Sequence, residues 1–371
     1  MRFPEFEGEW EVKKLGEILK VGSGRDYKHL KEGNIPVFGT GGYMTSVNEF
    51  LFDGESVCIG RKGTINKPFY YNGKFWTVDT LFYTYSYKNV LPKFVFNVFE
   101  QINWLMYNEA SGVPSLSKST IEQIEISIPD ISEQQKIASF LSLIDERIAA
   151  QSKIIEGLKE LKAWLSKQLF SRKLRFKDDD GADFPEWKTQ LLGNVTMVVS
   201  ERNKNNEKLP VYSINNKDGF VPQNEQFEGI DSDDRGYDIK LYKVINKHTF
   251  AYNPARINVG SIGYSGNLEN IIISSLYVCF KTQDSINDNF LFHFFKTNSF
   301  NKEVLKNVEG GVRDYLFYEN FSKIRFEQPC MEEQGKITDF LSSYDYKIRI
   351  ESKVLQQLEI QKKYLLKQMF I

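Results

Sequence analysis

The sequence has no long apolar run and few cysteines. No window approaches 18 consecutive apolar residues, and the first ten residues, MRFPEFEGEW, lack the apolar segment of a signal peptide. Cys58, Cys279 and Cys330 are odd in number, far apart and in no CxxC spacing, which favours reduced thiols over disulfides. We therefore expect a soluble protein that stays in the cytoplasm.

Histidines are few, and the charges of the two signs nearly balance. His29, His248 and His293 have no metal-ligand spacing, so we expect no metal site. The chain has 48 Lys and Arg against 49 Asp and Glu, a formal charge of −1. Net charge therefore gives no indication of a nucleic-acid partner, although it leaves room for a local basic patch.

No stretch fits a known catalytic or cofactor motif. Gly39-Thr-Gly-Gly42 and Gly60-Arg-Lys-Gly63 match neither a Walker loop nor a dinucleotide fingerprint. Asn253-Pro-Ala-Arg256 has the wrong third and fourth residues for the Asn-Pro-Pro-aromatic motif of adenine methyltransferases. We interpret all three as turns, and we predict no catalytic residue and no bound cofactor on this chain.

One long segment is present twice. Residues 133–170 align without a gap with residues 333–370, at an offset of 333 − 133 = 200 positions. In both copies apolar residues recur at alternating steps of four and three, which is the heptad pattern of a coiled-coil helix. A helix of about 38 residues is roughly 55 to 60 Å long and cannot bury its stripe alone. We predict that the two copies pair antiparallel as an intramolecular coiled coil.

Two features of these helices leave alternatives open. Lys162 and Lys362 occupy seam positions, where they mark helix ends that open to solvent, lie over apolar neighbours, or form layers that admit a partner's helix. Six aromatic residues lie off the seam, where a two-stranded coil cannot cover them. Either the globular domains or another subunit covers this set, which we take as the candidate partner-binding residues: Phe140, Trp164, Phe170, Phe340, Tyr364 and Phe370.

The segments before the two helices also repeat. Leu209-Pro-Val-Tyr212 matches Ile35-Pro-Val-Phe38, and Gly260-Ser-Ile262 matches Gly63-Thr-Ile65. We predict an α+β protein with two tandem-duplicated α/β domains, separated by two long antiparallel helices and related by a pseudo-twofold axis. The predicted segments are domain 1 at 1–130, helix 1 at 131–173, a solvated linker at 174–183, domain 2 at 184–330 and helix 2 at 331–371.

Two domains on one rod can bind one long ligand at two places, and duplex DNA is such a ligand. Reading bases requires Arg, Lys, Asn or Gln on loops, and contacting phosphates requires Lys, Ser or Thr. Such residues lie on the loops that differ between the domains. The candidates in the first half are Arg25, Tyr27, Lys28, Thr40, Tyr43, Arg61, Lys62, Ser117 and Lys118. Those in the second half are Arg202, Lys204, Asn215, Asn216, Lys217, Arg256, Asn258, Arg313 and Tyr315.

Two segments of the first half are distinctive: Pro129-Asp-Ile-Ser-Glu-Gln-Gln-Lys136 at the helix entry and Ser111-Gly-Val-Pro-Ser-Leu-Ser-Lys118 before it. With these segments and this order of domains, the chain resembles the specificity subunit of Type I restriction–modification systems. One departure is Gly335, which stands where the first copy has Gln135 and weakens the helix start slightly.

The resemblance implies a role for each part. Each globular domain would be a target recognition domain that reads half of a bipartite double-stranded DNA sequence, with the helices setting the unread gap. Two modification subunits would dock on the helices and methylate adenine with S-adenosylmethionine, and restriction subunits would cleave DNA with ATP and Mg²⁺. The chain itself would catalyse nothing.

Two other classes share parts of this pattern. A scaffold that holds two proteins at the ends of a rod would have the same architecture but would bind no DNA. A self-contained DNA methyltransferase or nuclease would modify or cut DNA with its cofactor alone.

Overall fold

The computed structural model describes residues 2–226, 238–308 and 315–370. The strands of the first half are β1 (Glu11–Lys14), β2 (Lys20–Ser23), β3 (Glu32–Gly39), β4 (Gly42–Val47), β5 (Phe52–Gly60), β6 (Phe69–Thr77), β7 (Leu81–Tyr85) and β8 (Glu125–Ile128). Its helices are α1 (Leu15–Ile18), α2 (Pro92–Gln101), α3 (Lys118–Gln123) and the long α4 (Ile131–Phe170), with a 3₁₀ turn at Trp104–Tyr107.

The described part of the second half has a similar order of elements, with ten strands where the first half has eight. Its strands are β9 (Lys188–Leu191), β10 (Thr196–Val199), β11 (Val211–Asn215), β12 (Gly219–Pro222), β13 (Lys243–Ile245), β14 (Phe250–Tyr252), β15 (Ile262–Tyr264), β16 (Ile271–Ile273), β17 (Val278–Thr282) and β18 (Arg325–Gln328). Its helices are α5 (Gln223–Gln226), α6 (Asp288–Phe294), α7 (Asn298–Asn307), α8 (Tyr318–Phe321) and α9 (Met331–Met369), with 3₁₀ turns at Leu192–Asn194, Ile239–Leu241 and Ile257–Val259.

The sheets confirm that the two halves are copies of one fold. The first half has a six-stranded sheet in the order β2-β7-β5-β6-β3-β4. In it, β3 and β6 run parallel, with Val37 beside Trp76. The second half has the corresponding parallel pair, β11 and β16, with Val211 beside Ile272. The matched sequences therefore lie at corresponding strands, Ile35–Phe38 within β3 and Leu209–Tyr212 across the start of β11.

The second half divides this sheet into two. Its sheets have the orders β10-β17-β14-β15 and β12-β11-β16-β13. These orders reproduce the first sheet if β13 and β14 together correspond to β5, and β15 and β16 to β6. The interruptions contain His248 and Asn270, whose positive φ angles of 57° and 56° end regular strand geometry. Two residues in unusual backbone conformations thus mark where the copies diverge.

The described residues form two compact units, and each unit contains parts of both long helices. Unit 1 comprises residues 1–154 and 351–371, and unit 2 comprises residues 155–350. In unit 1 the domain core continues onto Ile137 and Leu141 of α4 and onto Leu365 and Met369 of α9. In unit 2 the corresponding core includes Leu169 of α4 with Ile337 and Leu341 of α9. Each domain is therefore completed by the beginning of one long helix and the end of the other.

Within each unit the two helical segments run antiparallel. In unit 1 the Gln151 amide donates to Glu351 at 2.6 Å, and Lys362 lies 2.6 Å from Asp145. In unit 2 Lys162 donates to Asp345 at 2.5 Å. The seam residues from Ile137 to Leu169 and from Ile337 to Met369 are buried or half-buried, as the heptad pattern predicts.

The two seam lysines correct one expectation. Neither lysine lies at an opening helix end, because each ammonium pairs with an aspartate of the facing helix. The Lys362 ammonium also lies 5.5 Å from the centre of the Phe96 ring, which is an apolar contact of the expected kind. Docking of a partner's helix at these layers stays a prediction. The predicted linker, residues 174–183, is in contact with a long helix. Lys336 binds the Lys177 carbonyl oxygen at 2.8 Å and the Asp179 carboxylate at 2.7 Å, so residues 177–179 lie against α9. The predicted segment boundaries themselves stay predictions.

None of the helices within the described ranges is long and apolar enough to cross a membrane. The same part of the chain contains no cluster of three or more His, Cys, Asp or Glu side chains that could hold a metal ion.

Candidate nucleic-acid interface

Both domains place a hairpin tip beside a glycine with positive φ. In unit 1 the β3–β4 hairpin turns at Thr40, and a Cβ atom on Gly63 would lie 3.7 Å from Thr40 Oγ1. In unit 2 the β11–β12 hairpin turns at Asn216, and a Cβ on Gly260 would lie 3.9 Å from the Asn216 Cβ. The glycine φ angles are 94° and 88°, a region that side chains disfavour. The two loops that carry candidate residues are thus neighbours in both units.

Four of the predicted unit 1 residues line one groove of about 520 Å³. They are Arg61, Lys62, Ser117 and Lys118. Backbone hydrogen bonds assemble the groove, because Leu116 N donates to Arg61 O at 2.9 Å and Gly63 N donates to Pro114 O at 2.8 Å. Arg61 and Lys62 are exposed, and the Arg61 guanidinium lies 5.7 Å from the Phe82 ring centre. A groove lined by three cations is suited to phosphate oxygens.

Ser117 has a structural role in this groove. Its Oγ accepts a hydrogen bond from Thr120 N at 3.1 Å and so caps α3. The same hydroxyl donates to the Glu109 carboxylate at 2.7 Å. Hydrogen bonds from Thr120 and Ser117 hold the pKa of Glu109 below its usual range. Ser117 therefore positions the loop, and the neighbouring Lys118 is exposed beside it.

A second groove of unit 1, of about 540 Å³, contains Tyr27, Lys28 and Tyr43. Tyr43 is 64% exposed, and its hydroxyl lies 3.0 Å from Ser46 Oγ. The side chain of Arg25 is exposed beside β2, while its backbone is fixed by hydrogen bonds to Thr77 O at 2.8 Å and from Trp76 Nε1 at 2.9 Å. Exposed tyrosine and basic side chains on a fixed backbone can stack on bases and contact phosphates.

In unit 2 the structure brings together two predicted loops. Asn215 Oδ1 accepts from Lys217 N at 2.9 Å and from Asp218 N at 2.6 Å, so this side chain shapes the hairpin turn. The pair of loops exposes the candidate side chains of Asn216, Lys217, Arg256 and Asn258, together with those of Asp218 and Val259. Ser261 Oγ donates to Ile214 O at 3.2 Å and fastens one loop to the other.

The remaining unit 2 candidates are separate from these loops. The backbone of Arg202 forms a β-bridge with that of Lys243 on β13, which lies at the opposite edge of the sheet from β12. Lys204 lies two residues after Arg202. Tyr315 is 36% exposed, and its ring is stacked on Phe317 at 5.7 Å. Arg313 lies outside the described residues.

The off-seam aromatic residues fall into two groups. Four pack against the core of their own unit: Phe140, Phe170, Phe340 and Phe370. The other two are exposed, Trp164 by 56% in unit 2 and Tyr364 by 60% in unit 1, at the same position of the repeat. The globular domains thus cover the first group, and the second group remains available to a partner.

The sequence pattern missed a segment that binds the start of each long helix. We call Arg2-Phe3 in unit 1 and Arg175-Phe176 in unit 2 the strap. Arg2 donates through Nε and Nη2 to both oxygens of Glu133 at 2.7 and 2.6 Å. Arg175 makes the same pair of bonds to Glu333 at 3.1 and 3.0 Å.

The aromatic member of each strap completes this contact. Phe3 packs edge-on against Phe140 with ring centres 5.8 Å apart, and Phe176 packs against Phe340 at 5.5 Å. The signal in the sequence was the dipeptide Arg-Phe before each domain, which is too short to stand out.

A basic groove in unit 2 was also missed. It measures about 860 Å³ and is lined by Lys302 and Lys306 of α7, Lys323 and Arg325. Glu303 neutralises part of this charge by pairing with Lys306. In the first half a short 3₁₀ turn stands in place of α7, so the duplicated pattern gave no indication of the groove.

Comparison with known proteins gives consistent results. A family profile described as the Type I restriction modification DNA specificity domain matches residues 7–160 and again residues 188–360. The chain is 25% identical to the specificity subunit of the Type I restriction enzyme MjaVIII of Methanocaldococcus jannaschii, over 98% of this chain and 92% of the relative. It is 24% identical to a putative type I specificity subunit of Mycoplasma pneumoniae, over 90% and 88%.

Solved structures show the same fold. The crystal structure of a Type I restriction–modification S subunit from M. genitalium matches with a TM-score of 0.61 at 17% identity, covering 100% of this chain and 99% of that one. A chain from a study of complex assembly in a type I system matches with a TM-score of 0.55 at 14% identity, covering 99% and 98%.

Proposed function

Because the chain belongs to the Type I restriction–modification DNA specificity family, with two copies of the family's domain, we propose that it reads a bipartite DNA target without catalysing a reaction itself. Each domain would read one half of the target. The observation that carries the proposal is that the two copies place different polar side chains on corresponding loops, Thr40 in one and Asn216 in the other. Two different loop surfaces on one scaffold suit two different half-sequences.

The loops divide into parts with different chemistry. Arg61, Lys62 and Lys118 would contact phosphates and position unit 1 on the duplex, because lysine and arginine in an open groove bind phosphate oxygens. Asn216 and Arg256 would contact base edges in unit 2, since amide and guanidinium groups can form paired hydrogen bonds with adenine and guanine.

The chemistry would belong to partner subunits. Two modification subunits would dock on the helices and transfer a methyl group from S-adenosylmethionine to adenine, and restriction subunits would use ATP and Mg²⁺. The exposed Trp164 and Tyr364 support such docking, because aromatic side chains left open to solvent on a helix are typical of interfaces. The complex would act in the cytoplasm, where its DNA substrate is found.

The test is to express the chain with its modification subunit and to map methyladenine on the host DNA. We expect one two-part motif with a constant gap. Replacing residues 1–130 by another domain of the family should change one half of the motif and leave the other half and the gap unchanged. The proposal is wrong if both halves change, or if neither does.

A matched pair of loop variants sharpens the test. Lys62→Ala should weaken binding to all DNA sequences and reduce its dependence on salt, because a phosphate contact is lost. Asn216→Ala should instead relax selection at one base position of one half-site. Equal behaviour of the two variants would contradict the division into phosphate and base contacts.

A further inference from the structure

Each long helix begins with a buried pair of polar side chains. Glu133 and Gln134 have no exposed surface in unit 1, and neither do Glu333 and Gln334 in unit 2. Glutamate and glutamine are rarely buried completely unless every polar atom has a partner. In both units the partners lie far away in the sequence, so the pair connects the helix to other parts of its unit.

The glutamates hold the straps described above. In unit 2, Glu333 also accepts a hydrogen bond from Trp187 Nε1 at 2.9 Å. The strap precedes the first strand of the domain, and that strand pairs with the strand that leads into the helix, as β1 does with β8 and β9 with β18. The glutamate thus fixes the incoming chain against the helix start.

The glutamines form hydrogen bonds to the globular domain itself. Gln134 Oε1 accepts from Leu91 N at 2.9 Å, and its Nε2 donates to Asn89 O at 3.1 Å and Pro129 O at 2.9 Å. Leu91 directly precedes α2, so this amide joins the first turn of α4 to the beginning of α2.

Unit 2 repeats the arrangement. Gln334 Oε1 accepts from Asn287 N at 2.8 Å, and Nε2 donates to Pro329 O at 2.9 Å. Asn287 is the residue that caps α6. Both glutamines therefore connect the same two helices of their domain, although the loops of the two domains differ.

Such a buried network adds little net stability. Each neutral hydrogen bond contributes about 1 kcal/mol after the loss of bonds to water. The network instead favours one arrangement, because any other orientation of the domain on its helix would leave buried polar groups unpaired. Since the network is present in both units, its role is independent of the half-sequence that each domain reads.

We propose that Gln134 and Gln334 are positioning residues that fix the orientation of each recognition domain on its helix and thereby restrict the protein to one gap length. The inference rests on the proposed bipartite reading of DNA. One added base pair moves the second half-site by ~3.4 Å and rotates it by roughly 35°. A domain without the two bonds from Gln134 to Asn89 and Leu91, just before α2, could follow that displacement, whereas a fixed domain cannot.

The experiment uses the complex of this chain with its modification subunits and DNA duplexes that carry both half-sites. The gap is the mapped one, or one base pair shorter or longer. Gln134→Met keeps the size of the side chain and removes its hydrogen bonds. Gln135→Met is the matched control, because Gln135 is exposed and its side-chain amide donates to Ser139 of its own helix at 3.0 Å, so it does not join the helix to the domain within the described residues.

We expect the wild-type and control complexes to bind the mapped gap much more tightly than its neighbours. In Gln134→Met this preference should fall by about tenfold, while discrimination against a changed base within either half-site stays unchanged. A merely structural role would weaken binding to all duplexes alike. Unchanged preference in a folded Gln134→Met complex overturns the inference and leaves the bipartite reading intact.

Gln334→Met provides a second, independent variant if Gln134→Met does not fold. If neither variant folds, the glutamines are structural and the inference is wrong. A wild-type complex that binds every gap equally would overturn the proposed function, and this inference with it.

Discussion

The clusters of charged side chains around the seam lysine have opposite net charges in the two units. In unit 1 Lys362 contacts Asp145 at 2.6 Å and Glu100 at 2.7 Å, so the cluster has a net charge of 1 − 2 = −1. In unit 2 Lys162 contacts Asp345, and Lys296 occupies the position that corresponds to Glu100.

The unit 2 cluster therefore has a net charge of 2 − 1 = +1. Its two lysines repel each other. The two units therefore have corresponding backbones but different charges around the seam lysine.

A neighbouring position differs in the same way. Asn97 is buried in unit 1, and the corresponding residue in unit 2 is the buried His293, which lies 3.3 Å from Ser342 Oγ. Burial, together with the charge of Lys162, lowers the pKa of His293 to about 4. Unit 2 therefore contains a base that stays neutral in the folded protein where unit 1 has an amide that cannot titrate.

The largest difference should appear when each seam lysine is replaced by methionine. Lys362→Met leaves two carboxylates without their partner, and we expect the free energy of unfolding to fall by about 2–4 kcal/mol. Lys162→Met also removes a repulsion with Lys296, and it leaves only Asp345, whose side chain is 48% exposed. We expect it to change stability by less than about 1 kcal/mol. Urea unfolding at pH 7.5 measures the free energy of unfolding of both variants. Equal losses of stability would contradict the difference in charge between the two clusters.

The next largest effect should be a pH dependence confined to unit 2. Because the pKa of His293 is lower in the folded state, the unfolded chain binds more protons between pH 4 and 6.5, and stability falls as pH drops through this range. His293→Asn, which copies unit 1, should remove about 2 kcal/mol of the stability change between pH 7.5 and 5. The readout is the difference between variant and wild type in urea unfolding at the two pH values. If wild type and variant lose the same stability between the two pH values, His293 has the same pKa in the folded and the unfolded protein and is protonated in both at pH 5.

A smaller effect should follow from exchanging the flanking charges. Glu100→Lys gives unit 1 the repulsion found in unit 2, and we expect a loss of about 1–2 kcal/mol. Lys296→Glu gives Lys162 a second carboxylate, and we expect a gain of about 0.5–1 kcal/mol, limited by the solvent exposure of this side chain. Thermal unfolding in low and high salt measures both changes. A gain that persists in high salt would argue against a charge effect.

The smallest difference concerns the helix starts. Asp130 Oδ1 accepts from Glu133 N at 2.8 Å and caps α4, whereas Cys330 occupies the corresponding position before α9. Cys330→Asp should add about 0.5–1 kcal/mol to the free energy of unfolding, and Asp130→Ala should remove about 1 kcal/mol. Cys330→Ala is the control, because it removes the thiol without adding a cap. If Cys330→Ala stabilises the protein equally, the cap is not the cause.

The sequence predicted the repeated parts of this structure better than the parts that differ. The seam was predictable because a heptad pattern of about 38 residues leaves little freedom in which side chains face the partner helix. The parallel pair β3 and β6 was matched to its copy through a four-residue apolar motif.

The sequence predicted which loops carry the candidate residues, but not what each side chain does. Side-chain reach depends on backbone angles that residue type does not determine, and the roles of Ser117 as a cap and Asn215 as a turn former became visible only in their hydrogen bonds. The straps were missed for a different reason. Arg2 and Arg175 are 175 − 2 = 173 positions apart, whereas the helices repeat at 200, so the dipeptides do not align with the helical repeat.

The division into units has a consequence for synthesis on the ribosome. Unit 2 is continuous in sequence and is complete once residue 350 has been made, whereas unit 1 lacks its last segment until residues 351–371 have been made. Leu365 and Met369 fill the core of the domain that was synthesised first. The N-terminal domain therefore lacks these two core residues until they have been made, and a chain that stops before them leaves apolar surface of this core open to chaperones and to aggregation.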